Sequence, residues 1–357
     1  MARSVTIPGM LDPHVHLRGM EWSHKATFAS ETAAALAGGY WAVLDMPNTP
    51  PSTIDRAALD RKLADMTAEA ACDWGAYFGG SQDDNTAAYG QVAADVCGLK
   101  LYNNVTTGKL YIAEQAKRAR HFAAWTAARP IAVHAEDETV RDVLALVREY
   151  GRRTHFCHIS TAQEIAYLTE AKAEGLPVTV GVTPHHLFLT EADVAMLGPL
   201  GLMKPELKTQ ADQDALWAAI DSGVVDVVES DHAPHTLAEK AAEGPPYGVP
   251  GLETTLPLLC TAALAGRLSL DRLVELVAEN PRRIFGLACP PETYAEVDLE
   301  AQYTITRENL HTQCGWSPFE GWHVTGRVTA TWIRGRLAFD GERVLAAPGS
   351  GRNLYAT

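Results

Sequence analysis

Eight short, strand-like apolar runs recur along most of the chain, at residues 7–12, 41–46, 74–78, 97–101, 130–134, 153–158, 178–182 and 224–229. Most are separated by a helix-sized segment. That is the spacing of successive β-α units, because a parallel strand needs a long crossover before the next one can pair. Helix punctuation agrees: Ser160-Thr-Ala-Gln163 resembles a capping box, and Gly38-Gly39 follows an alanine-rich stretch as a C-cap would. Eight units of this kind predict an α/β protein of the (β/α)₈ barrel type, and 357 residues suit a barrel of about 250 with an appendage.

After Phe285-Gly286-Leu287 the texture changes. Cys289-Pro-Pro291 reads as a linker, and residues 294–299, 302–306, 326–333 and 336–339 alternate in polarity and carry turn residues such as Asp340-Gly341. The expected organisation is a catalytic barrel over 1–288 and a small β-rich extension over 289–357, joined by the first few N-terminal residues.

In such barrels the chemistry sits at the C-terminal ends of the strands. Here those ends are polar in a particular way. The first run ends in Asp12-Pro-His14-Val-His16-Leu-Arg18, the second in Met46-Pro-Asn48, the fourth in Lys100-Leu-Tyr102, the fifth in His134-Ala-Glu136, the sixth in His158-Ile-Ser160 and the eighth in Ser230-Asp231-His232-Ala-Pro-His235. His14 and His16 are two apart, so an extended strand points both to one side. His134 and His158 arrive from neighbouring strands, and Asp231 comes from the strand beside the first in a closed barrel. Four imidazoles and a carboxylate suit zinc or a similar divalent ion. A single histidine in an apolar run is more often a satisfied core residue; five ligand-type residues at the same end of four strands point to a metal site. Lys100 is the odd member, a lysine in an inward-facing run, and a buried neutral lysine can react with carbon dioxide to form a bridging carbamate.

Composition narrows the partners. The net charge of −14 argues against nucleic acid, which needs a basic face. No apolar run reaches about 18 residues, the length that spans a membrane. The opening residues 1–10 offer neither the apolar stretch nor the cleavage site of a secretory signal. Six cysteines without a CxxC pair read as reduced, mostly buried thiols, so the expected location is the cytoplasm.

At these motifs the chain resembles the dihydroorotases of the amidohydrolase superfamily, and most of all the type found as a domain of the large eukaryotic pyrimidine-synthesis polyprotein. The likeness covers nearly the whole chain and includes Asp231-His-Ala-Pro-His-Thr236, Pro250-Gly-Leu-Glu-Thr254 and Asn280-Pro-Arg-Arg-Ile-Phe285. It implies that His14, His16 and Asp231 hold one divalent ion, that His134 and His158 hold another, both zinc, and that N6-carboxylated Lys100 bridges them. It implies that Arg18, Asn48 and His235 grip a substrate carboxylate, that Thr106 lies in a loop closing over the substrate, and that Pro250 and Gly251 touch its ring through the backbone. The implied reaction is reversible hydrolysis of L-dihydroorotate to N-carbamoyl-L-aspartate in pyrimidine biosynthesis, by a metal-bridged hydroxide with Asp231 as general acid and base. A homodimer and an association with aspartate transcarbamoylase are the partners it suggests.

Some positions depart from the family pattern. Gly181 stands where close relatives commonly carry a glutamate, which argues against an accessory third metal using that position and Cys157. Lys204 stands where relatives more often have Arg or Asn. His185 and His186 are expected to support other groups rather than bind directly. The competing readings are another cyclic amidohydrolase, a hydantoinase or allantoinase, and a non-catalytic scaffold. Arg18 favours a substrate with a carboxylate, since its planar fork binds one bidentately.

Overall fold

The structure, a computed structural model, describes residues 4–356. Its strands in chain order are β1 (Ser4–Pro8), β2 (Met10–Val15), β3 (Tyr40–Asp45), β4 (Asp73–Gly79), β5 (Gly98–Tyr102), β6 (Ile131–His134), β7 (Thr154–Phe156), β8 (Val178–Val182), β9 (Val227–Val228), β10 (Tyr294–Thr304), β11 (His323–Ile333) and β12 (Arg336–Phe339). Strands β2 to β9 pair in parallel in sequence order, with helices in the crossovers. The ends of that sheet meet. Val15 and His232 form a parallel bridge, His16 N–H donates to His232 O at 2.7 Å, and Ser230 N–H donates to the Asp12 carboxylate at 3.1 Å. The expected (β/α)₈ barrel is therefore present and closed.

Three details of the barrel differ from the sequence expectation. The first run is split at Gly9, whose φ is +50°; a Cβ there would lie 2.4 Å from Cys289 Sγ, so only glycine fits the turn that sends residues 4–8 to another sheet. The sixth and eighth runs pair over three and two residues only, because His158 and Asp231 adopt φ of 37° and 46° and turn the chain out of the ladder. The capping box lies one residue later than Ser160–Gln163. Thr161 caps Ala162–Ala173, and the Glu164 carboxylate, accepting from Thr161 N, also reaches Ser160 N and Asp137 N. Gly38 caps Phe28–Ala37 as expected.

The second sheet is antiparallel, in the order β1-β10-β11-β12. Residues 294–304 form one irregular strand with register shifts instead of two strands. Ala295, Val297, Leu299 and Phe339 bury the sheet's inner face in the same core as the barrel helices. The last residues return to the barrel: Trp74 N–H donates to Arg352 O, and Tyr355 is buried with Trp41, Tyr77 and Phe285. Among the described residues no cysteine is disulfide-bonded, and five of the six are buried. Among the described residues, no helix is long and apolar enough to cross a membrane.

Candidate active site

Closing the barrel brings β2 beside β9, and the polar residues past both ends converge. His14 Nε2 and His16 Nε2 each lie 3.2 Å from Asp231 Oδ1. These three residues can present one ligand atom each within 4.8 Å of one another. A second pair comes from β6 and the turn after β7, where His134 Nδ1 is 3.1 Å from His158 Nε2. The two sets touch, since the His14 and His158 rings are 5.0 Å apart between centroids. Lys100 on β5 is fully buried, with its Nζ 3.2 Å from Cys157 Sγ.

Neighbours set the direction of each ring. His16 Nδ1 lies 2.7 Å from Asn48 Oδ1, and His134 Nε2 lies 2.8 Å from Glu136 Oε1. The carboxylate and amide oxygens accept, so each ring carries its proton on the outward nitrogen and presents a lone pair inward. Burial pushes His14, His16, His134 and His158 below the ordinary imidazole range, with Lys100 adding to the effect on each. Neutral imidazoles are the metal-binding form. Burial raises the Asp231 carboxyl to about 7, with Lys100 pulling the other way.

The cleft above this cluster is lined by His14, His16, Arg18, Asn48, Thr106, His134, His158 and Asp231, all expected from the sequence, and also by Lys204. Arg18 is 1% exposed and sits at a φ of 62°. Its Nε donates to Pro234 O at 3.0 Å, and its Nη1 has no partner. Its Nη2 is 3.0 Å from His235 Nε2. The same ring lies 3.1 Å from Lys25 Nζ through Nδ1 and 3.0 Å from Tyr247 O through Nε2. Of the two terminal nitrogens of Arg18, Nη1 is the one left without a partner. Burial lowers the guanidinium to about 10, which still leaves it cationic at neutral pH.

Other expected residues fall elsewhere. His235 is buried behind Arg18. Pro250 and Gly251 line a neighbouring hollow with Thr254 and Trp316, where Gly251 N–H donates to His232 Nδ1, and it is Tyr247 and Gly248 that line the cleft. His186 bonds Thr183 and Pro205 O away from the cleft lining, and His185 Nε2 is buried without a partner. Sequence reasoning missed Tyr102, Thr107 and Tyr247 in the lining. It also missed Glu229, which is fully buried and 3.4 Å from His14 Nδ1. An acid ending an apolar run was the available signal, since such a group is costly to bury without partners.

The donor set fits divalent cations. Four buried neutral imidazoles, an aspartate and an enclosed lysine converge at the mouth of the barrel, and His14 Nδ1 and His158 Nδ1 are buried without hydrogen-bond partners.

The amidohydrolase family's sequence model matches residues 5–290. The multifunctional protein CAD of Squalus acanthias is 44% identical over 355 residues, covering 99% of this chain and 16% of that protein. The dihydroorotase of Pyrococcus furiosus is 35% identical over 369 residues, covering 96% of this chain and 84% of its own. This chain thus spans about a sixth of the multifunctional relatives it matches and most of the shorter ones. Among solved structures, the L-hydantoinase (dihydropyrimidinase) from Arthrobacter aurescens superposes with a TM-score of 0.92 at 24% identity, covering 98% of this chain and 89% of that one, a likeness of fold. The inactive dihydroorotase-like domain of the Chaetomium thermophilum CAD-like multifunctional protein superposes at 0.82 with 25% identity, over 99% of both chains. Barrel, convergent ligand set and whole-length identity lead to one assignment: this chain belongs to the amidohydrolase family, among its dihydroorotases.

Proposed function

We propose that this chain catalyses the reversible hydrolysis of L-dihydroorotate to N-carbamoyl-L-aspartate. The observation that carries the reading is Arg18, a buried cation whose Nη1 has no partner, in the wall of the cleft where the histidines and Asp231 converge. A substrate carboxylate supplies the missing acceptor through a charge-assisted hydrogen bond. A neutral hydantoin or allantoin would leave that donor unsatisfied, at roughly 1–3 kcal/mol for a buried polar group and more for a charged one. That asymmetry supports a carboxylate-bearing ring over the other cyclic amides.

In this reading His14, His16 and Asp231 would hold one divalent ion, His134 and His158 a second, and Lys100, carboxylated at its Nζ, would link the two, with zinc the metal expected. When bound, such ions lower the pKa of water and polarise an amide carbonyl. The chain's own groups do the rest. Arg18 orients the ring by its carboxylate. Asp231, between the His14 and His16 rings, takes a proton from the water that adds to the ring carbonyl carbon. As the carbon–nitrogen bond breaks, Asp231 returns that proton to the departing nitrogen, so one water is consumed and the reverse path releases it. Thr106 and Thr107, with Thr107 Oγ1 donating to Tyr247 O at 3.0 Å, cover the cleft against bulk water. A homodimer and association with an aspartate transcarbamoylase belong to the same reading, supported by the likeness to multifunctional proteins.

The test is to measure bound metal in purified protein and follow dihydroorotate hydrolysis with and without a chelator, alongside hydantoin and allantoin. Two metal equivalents, chelator-sensitive turnover and a marked preference for dihydroorotate are expected. A metal-loaded protein that opens hydantoin or allantoin faster, or opens none of the three, overturns it.

A further inference from the structure

We infer that Glu229 is a positioning residue that holds one imidazole from each half of the ligand set, His14 and His158, in metal-binding geometry, and that Gly181 provides the space it occupies. The inference rests on the metal-site reading above. Glu229 follows β9 and is fully buried, and its carboxylate meets three histidines. Oε2 accepts from His155 Nε2 at 3.0 Å, and Oε1 accepts from the His158 backbone N–H at 2.7 Å. Oε1 is also 3.4 Å from His14 Nδ1, a buried nitrogen with no hydrogen-bond partner.

Each contact has a consequence for a ligand. An acceptor beside Nδ1 favours the His14 tautomer with its proton there, which leaves the Nε2 lone pair facing Asp231. His158 sits at a φ of 37°, a conformation that needs outside support, and the bond from its own N–H supplies it. That turn is what aims His158 Nε2 at His134. One carboxylate thus spans both halves of the site, and His155, whose Nδ1 is 2.9 Å from Thr179 Oγ1, holds it from behind.

The neighbouring strand leaves room for this arrangement. A Cβ on Gly181 would lie 2.6 Å from Glu229 Oε1 and 2.8 Å from its Cδ, so any side chain there displaces the carboxylate. A competing possibility is that Glu229 itself binds a metal, since His14, Cys157 and Glu229 can bring ligand atoms within 4.8 Å. Against this, both carboxylate oxygens are already engaged, Oε2 by His155 and Oε1 by the His158 backbone N–H.

The experiment uses the full chain, stripped of metal and titrated with Co²⁺, with visible absorption reporting ligand geometry and chelator competition reporting affinity. The wild type is compared with Glu229→Gln and Gly181→Ala, and thermal unfolding of each metal-free protein checks its fold. The wild type should take up two equivalents. Glu229→Gln should bind cobalt about 10- to 100-fold more weakly, the usual cost of losing a group that orients a ligand. Its visible bands should move, and Gly181→Ala should move them in the same way. A merely structural role would lower the unfolding temperature and leave the bands alone. Wild-type affinity and spectrum in both variants overturn the inference. So does a third cobalt equivalent that disappears in Cys157→Ser, which would make Glu229 a ligand. A wild type that takes up no cobalt overturns the metal-site reading, and this inference with it.

Discussion

His16 Nδ1 donates to Asn48 Oδ1 across 2.7 Å, so a residue past the end of β3 sets the tautomer of a ring past the end of β2. The other end of the same amide, Nδ2, donates to Thr107 O at 3.0 Å in a loop that lines the cleft. Asn48 is thus occupied on both sides, by the His16 imidazole and by the Thr107 backbone. Asn48→Ala is expected to weaken metal binding by about 10- to 100-fold, as loss of an orienting partner usually does, and chelator competition measures it. A loss confined to substrate KM would assign the amide to the substrate instead.

Arg18 is expected to act on substrate binding. Arg18→Ala should raise KM for dihydroorotate by at least about 30-fold, the equivalent of roughly 2 kcal/mol for a buried charge-assisted pair, and leave the bound metal unchanged. Arg18→Lys should recover little, because an ammonium cannot supply two parallel donors. Steady-state kinetics with metal analysis on the same samples decides it.

Lys100 is fully buried, with a thiol and an aromatic ring as its close neighbours. Lys100→Ala should lose metal and activity together. Short carboxylic acids added to that variant should restore part of both by supplying the missing oxygens, as followed by metal content and turnover. Unchanged metal content in the variant would remove Lys100 from the bridging role.

A buried ion pair supports the floor of the site. Lys62 Nζ is 2.5 Å from Asp45 Oδ2 with both side chains fully buried, and Asp45 Oδ1 accepts from Leu17 N at 2.7 Å, between His16 and Arg18. Lys62→Met strands the Asp45 charge and should cost about 3–5 kcal/mol in denaturant unfolding. Lys62→Met combined with Asp45→Asn should regain part of that loss.

One contact makes stability depend on pH. The His311 imidazole, bonded to Glu253 Oε1 at 3.0 Å, is raised above the ordinary histidine range by that carboxylate. A raised folded-state value means the contribution is complete below the unfolded value of about 6.5 and is lost as pH climbs through the higher folded value. Thermal unfolding of wild type and His311→Gln should differ most in mildly acidic buffer and converge above neutrality. A gap that widens with pH would contradict the pairing.

Much of this was legible from the amino acids alone, and the reasons are local. His14 and His16 share a side because strand side chains alternate, and Asp231 meets them because the eighth strand of a closed barrel lies beside the first. What escaped depended on distant neighbours. Glu229 looks like the polar end of a run until β8 shows Gly181 making room for it. Tyr355 lies far along the chain from Trp41 and Tyr77, and no periodic pattern announces that the tail comes back to pack with them. Asn48 was recognisable as a site residue, but which partner takes its oxygen depends on how two loops settle against each other.

The Val15–His232 bridge also has a consequence for biosynthesis. Along the chain, His14 and His16 are made about two hundred residues before Asp231. Until then the nascent protein holds an incomplete set of donors, and no truncated product ending before the eighth strand can finish the set. The meeting of His14, His16 and Asp231 therefore waits until the cylinder has sealed.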